Sequence, residues 1–431
     1  MRLDSPVLYH GMRNFPKRIV PEREKAKRKE QLMTGRARNP WVGLATALAA
    51  TLAVATKSEA KEKEGVWSQV TSAMEDVVQI HGFGGWGYGI SDNNTFLNAT
   101  PEGNYEDVEL ALNVTARPMD KLAVVVQPFW EMKEGEDEAE LDYAFAEWTF
   151  SDHLKMRVGR VKSPFGIYGE IYNVGTLRAF YTLPPANYRS NRLAIKAYNG
   201  VGVTGTHFMD NGWGVRYDLY GGQYDMEDMA IPVPGLPDRL PVEPTYEDMV
   251  GGKLDVYSPV EGLRFGFSGY TGDVNVDSPI GSNPLGISGQ HYVMASHLEY
   301  LKDPWLVRTE YQHLRPTSGD DLIENCAYVE VAYRLDEHWQ VAALVDWGDI
   351  SLGDPLFEAS LDRFDELDHE GFALGLNYWF TPNLVVRTSY HFTHGNSVAA
   401  FSQEERTEWM MTGDDGEDTT HSWILGAQFS F

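Results

Sequence analysis

Residues 420–431 read Thr-His-Ser-Trp-Ile-Leu-Gly-Ala-Gln-Phe-Ser-Phe, and the reading of this stretch decides the fold. Trp423, Leu425, Ala427, Phe429 and Phe431 fall on one side of an extended chain. Ser422, Gly426, Gln428 and Ser430 fall on the other. Successive side chains of a β-strand point to opposite faces, so this period of two describes a strand with one apolar and one polar side. The stretch ends on Phe431, an aromatic that a water-soluble strand gains nothing by exposing.

The same alternation recurs upstream. Leu384, Val386, Thr388, Tyr390 and Phe392 oppose Arg387, Ser389 and His391. Trp339, Val341, Ala343, Val345 and Trp347 oppose Gln340 and Asp346, and Trp305, Val307, Thr309 and Tyr311 oppose Arg308, Glu310 and Gln312. Counting such segments from residue 77 onward gives sixteen strands: 77–90, 106–117, 121–132, 139–150, 154–162, 198–208, 212–222, 248–258, 262–271, 289–301, 304–315, 324–335, 338–348, 369–380, 383–394 and 420–431. From the second strand on, every other link is short and turn-like, as at Pro118-Met119-Asp120, Asp336-Glu337 and Thr381-Pro382, while most of the rest are longer. Short turns on one side and long loops on the other belong to transmembrane barrels, whose strands also crowd aromatics at both ends. The expected fold is all-β, a transmembrane antiparallel β-barrel of about 16 strands over residues 77–431.

The longest link, Ser163–Ala197, is the third on the long-loop side. It is rich in bulky side chains (Phe165, Tyr168, Tyr172, Phe180, Tyr181, Tyr188), so it is expected to fold inward against the barrel wall.

Composition fits. The 431 residues carry 12% aromatics and 41 glycines. The mean hydropathy of -0.37 is what alternating lipid-facing and lumen-facing residues average to. The formal charge of -27 excludes a nucleic-acid binder, which needs a basic footprint. The single cysteine, Cys326, allows no intramolecular disulfide. Trp41–Ala55 is the one long apolar run; at 15 residues it is short of the roughly 20 of a spanning helix. It follows Arg36 and Arg38 and precedes Ser58-Glu59-Ala60, the layout of a secretory signal. Residues 1–60 are read as an N-terminal extension plus signal peptide, with Met33 as the expected initiator; a single-helix anchor is the alternative. Removing them leaves 24 basic and 58 acidic residues, a net charge of -34. Residues 61–76 form a short periplasmic segment, readable as a helix with Trp67, Val70 and Met74 on one side.

The run LKMRVGRVKSPFGIYGEIYNVGTLRAFYTLPPANY, Leu154 to Tyr188, resembles the phosphate-selective porin O and P superfamily. There a strand ending Gly-Arg-x-Lys-x-Pro-Phe-Gly, here Gly159 to Gly166, leads into a loop folded into the pore. The resemblance implies a sixteen-stranded trimeric porin whose third loop narrows the channel. Phosphate-selective members carry a dense basic ladder in the pore, and this chain shows none. Phe431 resembles the terminal aromatic of outer-membrane barrels that the barrel assembly machinery reads.

The third loop carries Arg178, Arg189, Arg192 and Lys196 against one acid, Glu170. Inside a narrow lumen this charge would favour anions; alternatively these arginines pin the loop to acids on the wall. Alternation directs Arg157, Arg216, Lys253, Arg264, Arg308, Arg334 and Arg387 to the lumen, with Glu109, Asp218, Asp255, Glu299, Glu310, Glu330 and Asp346. Arg160 and Lys162 have the opposite parity to Arg157 and join the lining if a bulge turns them inward.

Acidic stretches Glu131–Asp142, Asp225–Asp248, Asp349–Glu370 and Glu404–Asp418 fall at or next to outer loops, either binding divalent cations between lipopolysaccharides or simply solvated. Gly82-Phe-Gly-Gly-Trp-Gly87 satisfies GxGxxG but opens no helix, so it reads as close packing in the first strand. The histidines form no helix-spaced metal pair, and no catalytic residue, metal or cofactor is expected. The expected function is passive diffusion of small hydrophilic solutes, with a lean towards anions, through a homotrimer in the lipid and lipopolysaccharide of a Gram-negative outer membrane. The alternatives are a lipase-type barrel enzyme and a structural or adhesive barrel with a closed lumen.

Overall fold

The computed structural model describes residues 78–431 apart from 134–135, 189–194, 227–228, 232–239, 278–287, 318–321, 353–357, 359–365 and 400–416. The expected signal and periplasmic segments therefore lie outside the described residues, as do Arg189 and Arg192.

The strands are β1 (Val78–Ser91), β2 (Asn104–Met119), β3 (Leu122–Lys133), β4 (Glu136–Ser151), β5 (Leu154–Lys162), β6 (Ala197–Phe208), β7 (Gly214–Asp225), β8 (Met229–Ile231), β9 (Leu240–Tyr257), β10 (Leu263–Asp277), β11 (Gly289–Lys302), β12 (Trp305–Pro316), β13 (Leu322–Arg334), β14 (Trp339–Leu352), β15 (Asp368–Thr381), β16 (Leu384–His394) and β17 (Thr419–Ser430). All but β8 pair antiparallel with two neighbours, and β1 pairs with both β2 and β17. The result is a closed sixteen-stranded barrel. Closure is what lipid demands, because an open sheet edge would leave backbone N–H and C=O groups without water to satisfy them.

The three-residue β8 was not expected; it pairs with Leu240–Val242 and lengthens β9 beyond its expected start at 248. β3 and β4 reach Lys133 and Glu136, beyond the expected bounds of 132 and 139, so most of the acidic stretch Glu131–Asp142 lies within these strands, with Glu131 opposite Glu138.

The outward positions form the lipid belt: Leu219, Phe267, Val345, Leu374 and Trp423 are all exposed. Aromatic pairs mark the strand ends near the short turns, at Trp305–Tyr333 (4.7 Å) and Trp339–Tyr378 (4.8 Å). Tyr88–Tyr105 (4.4 Å) and Tyr390–Trp423 (5.4 Å) lie towards the opposite ends. Such girdles suit the two membrane interfaces.

Phe431 closes the seam. Its amide donates to the Gly82 carbonyl at 2.8 Å, and its carbonyl accepts from the Gly82 amide at 3.0 Å. Its ring covers Gly82, where an added Cβ would lie 2.4 Å from ring carbon. The glycine-rich run of β1 is thus a seat for Phe431 and Phe429. Deleting Phe431 removes two backbone hydrogen bonds at the seam and is expected to cost about 2 kcal/mol. A lower urea midpoint of the refolded barrel in detergent checks this, and an unchanged midpoint contradicts it.

Candidate functional site

The third loop, 163–196, leaves β5 and enters the barrel. Phe165, Tyr168, Phe180, Tyr181 and Tyr188 are each at most 4% exposed. Its turn inward is made at Gly166, where φ is +63° and an added Cβ would meet Glu310 Oε1 and the Tyr188 hydroxyl. Only glycine fits that conformation at such close approach.

The loop has little regular structure, so its main-chain groups need other partners at membrane depth. Wall side chains supply them. Gly166 donates to Ser268 Oγ (2.9 Å), and its carbonyl accepts from Lys253 Nζ (2.6 Å). The Ile167 amide reaches Glu310 (2.9 Å) and the Ala186 amide reaches Asp346 (2.9 Å). Arg308 donates to the Leu177 carbonyl (2.9 Å), Arg387 to those of Gly175 (3.2 Å) and Arg178 (2.7 Å), and Asn377 to that of Ala179 (2.8 Å). In these contacts wall side chains grip the loop backbone.

Charges beneath the loop are linked in sequence. Arg264 and Arg308 both pair with Glu299 (2.7 Å each). Arg308 also donates to the Tyr168 hydroxyl (2.7 Å), which donates to Glu330 (2.5 Å). The Tyr188 hydroxyl donates to Glu310 (2.6 Å). Arg308, Glu310, Glu330 and Arg387 point inward, but the loop leaves each at most 4% exposed, so they do not face open water. Arg334 sits at the short-turn end, 3.8 Å from Asp303 and over the Trp379 ring.

The other flank is different. Glu170 is held by Arg216 (2.6 Å) and lies 3.8 Å from Arg157. Burial opposes ionisation of this loop carboxyl, but Arg216, Lys253 and Arg157 outweigh it and hold its pKa below the ordinary value. A bulge in β4, where Gln127 pairs with Tyr143 and Pro128 with Leu141, leaves Asp142 as the extra residue. Asp142 accepts from Lys162 (2.7 Å), Gln127 (2.8 Å) and the loop's Asn173 (3.0 Å). Lys162 is thus buried inward, while Arg160 donates to the Asp142 carbonyl (3.1 Å).

Between loop and wall lies a cavity of about 390 Å³. Asp107, Glu109 and Glu131 line it from β2 and β3, and Arg178 and Lys196 from the loop. Arg178 is braced by the carbonyls of Tyr181 (3.0 Å) and Tyr172, and Lys196 lies over the Tyr172 ring. Inward residues on this flank, such as Asn113 and Tyr143, stay half-exposed. Glu131 and Asp142 fall inside the expected strands 121–132 and 139–150; the alternation of Glu136, Glu138 and Glu140 was the signal that the second begins earlier. The gripping roles of Ser268, Asn377 and Lys253 had no sequence signal, since each depends on where the loop lands. The Ser389 hydroxyl lies 2.8 Å from His391 Nε2, but both are buried.

No family model and no curated protein matches the chain. Solved structures do. The outer membrane channel DcaP of Acinetobacter baumannii aligns with a TM-score of 0.52 at 10% identity, over 82% of this chain and 97% of that one. Salmonella typhi OmpF, in a complex with daunomycin, aligns at 0.50 and 13% over the same shares. The fold is that of outer-membrane porins. Vibrio cholerae OmpT in its trimer form aligns at 0.48 and 12%, over 82% of this chain and 99% of that one.

Tyr181 lies against the paired glycines Gly87 and Gly426; a Cβ on Gly426 would sit 2.0 Å from its ring. Gly426→Val is expected to displace Tyr181 and this part of the loop while the barrel stays closed. Single-channel recording checks it: a larger unit conductance than the native chain's is predicted, and an unchanged one contradicts the seating.

Proposed function

We propose that the protein is a passive diffusion porin of a Gram-negative outer membrane, passing small hydrophilic solutes through the slot between the β2–β4 wall and the third loop. The observation that carries this is the contrast inside one barrel. The loop is packed onto strands from β9 to β17 but leaves half-exposed polar residues and a charged cavity beside β2 and β3. Transport of this kind needs no cofactor and no catalytic residue; width and lining charge set selectivity. The Leu154–Tyr188 resemblance supports a place near the phosphate-selective porins, and the same resemblance supports a homotrimer. Phe431 supports handling by the assembly machinery, and the acidic outer stretches support contact with lipopolysaccharide through divalent cations.

The anion lean rests on Arg178 and Lys196, with Arg189 and Arg192 in the same loop. It competes with Asp107, Glu109 and Glu131 on the facing wall. The slot therefore carries both signs, and net ion preference is a balance that single charges tip.

Reversal potential across a planar bilayer under a salt gradient tests both points. Open channels are expected, shifted towards anions by Glu109→Gln with Glu131→Gln and towards cations by Arg178→Gln. A folded barrel without conductance contradicts the porin reading and favours a closed structural or enzymatic barrel.

A further inference from the structure

The charge on the slot's wall is arranged as well as abundant. Glu109 on β2 pairs directly with Glu131 on β3, and Glu131 pairs directly with Glu138 on β4. This places three carboxylates side by side in one row on one face. Like charges directly opposite in adjacent strands repel, so the row concentrates negative charge on this part of the wall. Asp107 lies two residues along β2 from Glu109, on the same face, and adds to the field.

The loop opposite presents the other sign. Arg178 keeps its guanidinium fixed through the carbonyls of Tyr172 and Tyr181, and its buried Nε has no hydrogen-bond partner. A guanidinium has five N–H donors, so donors remain for an incoming carboxylate. Lys196 faces the same cavity. At about 390 Å³ the space lies at the small end of ligand pockets, which run about 300–1,000 Å³.

A simple cation would use the wall and gain nothing from Arg178; a simple anion would do the reverse. A solute bearing both charges uses both faces at once. The geometry points to a binding site for small zwitterions of the α-amino-acid type, the ammonium on Glu109 and Glu131 and the carboxylate on Arg178 and Lys196. This rests on the porin reading above and names the solute class that the same slot selects.

The test uses two isomers of equal mass, L-alanine, which is zwitterionic, and lactamide, which is uncharged. Their entry into liposomes carrying the refolded native chain is measured at low millimolar concentration. Alanine is expected to enter several-fold faster than lactamide and to saturate as its concentration rises. Glu109→Gln with Glu131→Gln, and separately Arg178→Gln, should each bring the ratio of rates close to one. Equal, unsaturated entry of both solutes through the native chain overturns the zwitterion site and leaves the porin standing. Entry of neither overturns the porin reading itself. The native comparison needs no variant to fold.

Discussion

The structure depends on one constraint: an irregular chain segment held at membrane depth must have every main-chain polar group satisfied. Water cannot do this freely inside a narrow barrel, so the wall does. Lys253, Arg308, Asn377 and Arg387 donate to loop carbonyls, while Ser268, Glu310 and Asp346 accept from loop amides. These contacts spread over strands from β9 to β16. Removing one would leave a buried group unpaired, at a cost of about 1–3 kcal/mol. The loop is therefore better described as the inner layer of the barrel than as an appendage to it.

That layer makes the lumen asymmetric. Where the loop meets the wall, inward charges are linked and buried, as in the run Glu299–Arg308–Tyr168–Glu330. Where it stands off, wall acids and loop bases face one another across a cavity. Two outwardly similar sets of inward charges thus have different settings: one holds the loop, and the other lines the cavity. The glycines follow the same division. Gly166 permits the turn inward, and Gly426 leaves room for Tyr181 at the edge of the slot.

Alternation made the barrel legible, because a period of two shows directly which side chains face lipid. All sixteen expected strands exist, and Trp423, Leu425 and Phe429 are exposed as their parity requires. The first residues of β9 were hidden because Pro241 and Pro244 stand inside them, and proline argues against a strand. Asp142 was hidden for a different reason: a bulge depends on the partner strand's register, which one strand's sequence does not contain. Arg308 and Glu330 show the deeper limit. Parity gave their direction correctly, but parity does not say what covers a residue once it points inward.

Native Cys326 offers the most direct measurement of that coverage. It faces inward beside Gln312, fully buried, on the flank that the loop seals. A membrane-impermeant, water-soluble thiol reagent would be applied to the folded native chain, and in parallel to Asn113→Cys made in a Cys326→Ala background. Cys326 is expected to stay unmodified until the barrel is denatured, while the cysteine at position 113 reacts quickly and its modification lowers conductance. Rapid modification of Cys326 in the folded barrel would contradict this, because the loop would then not be packed against that wall.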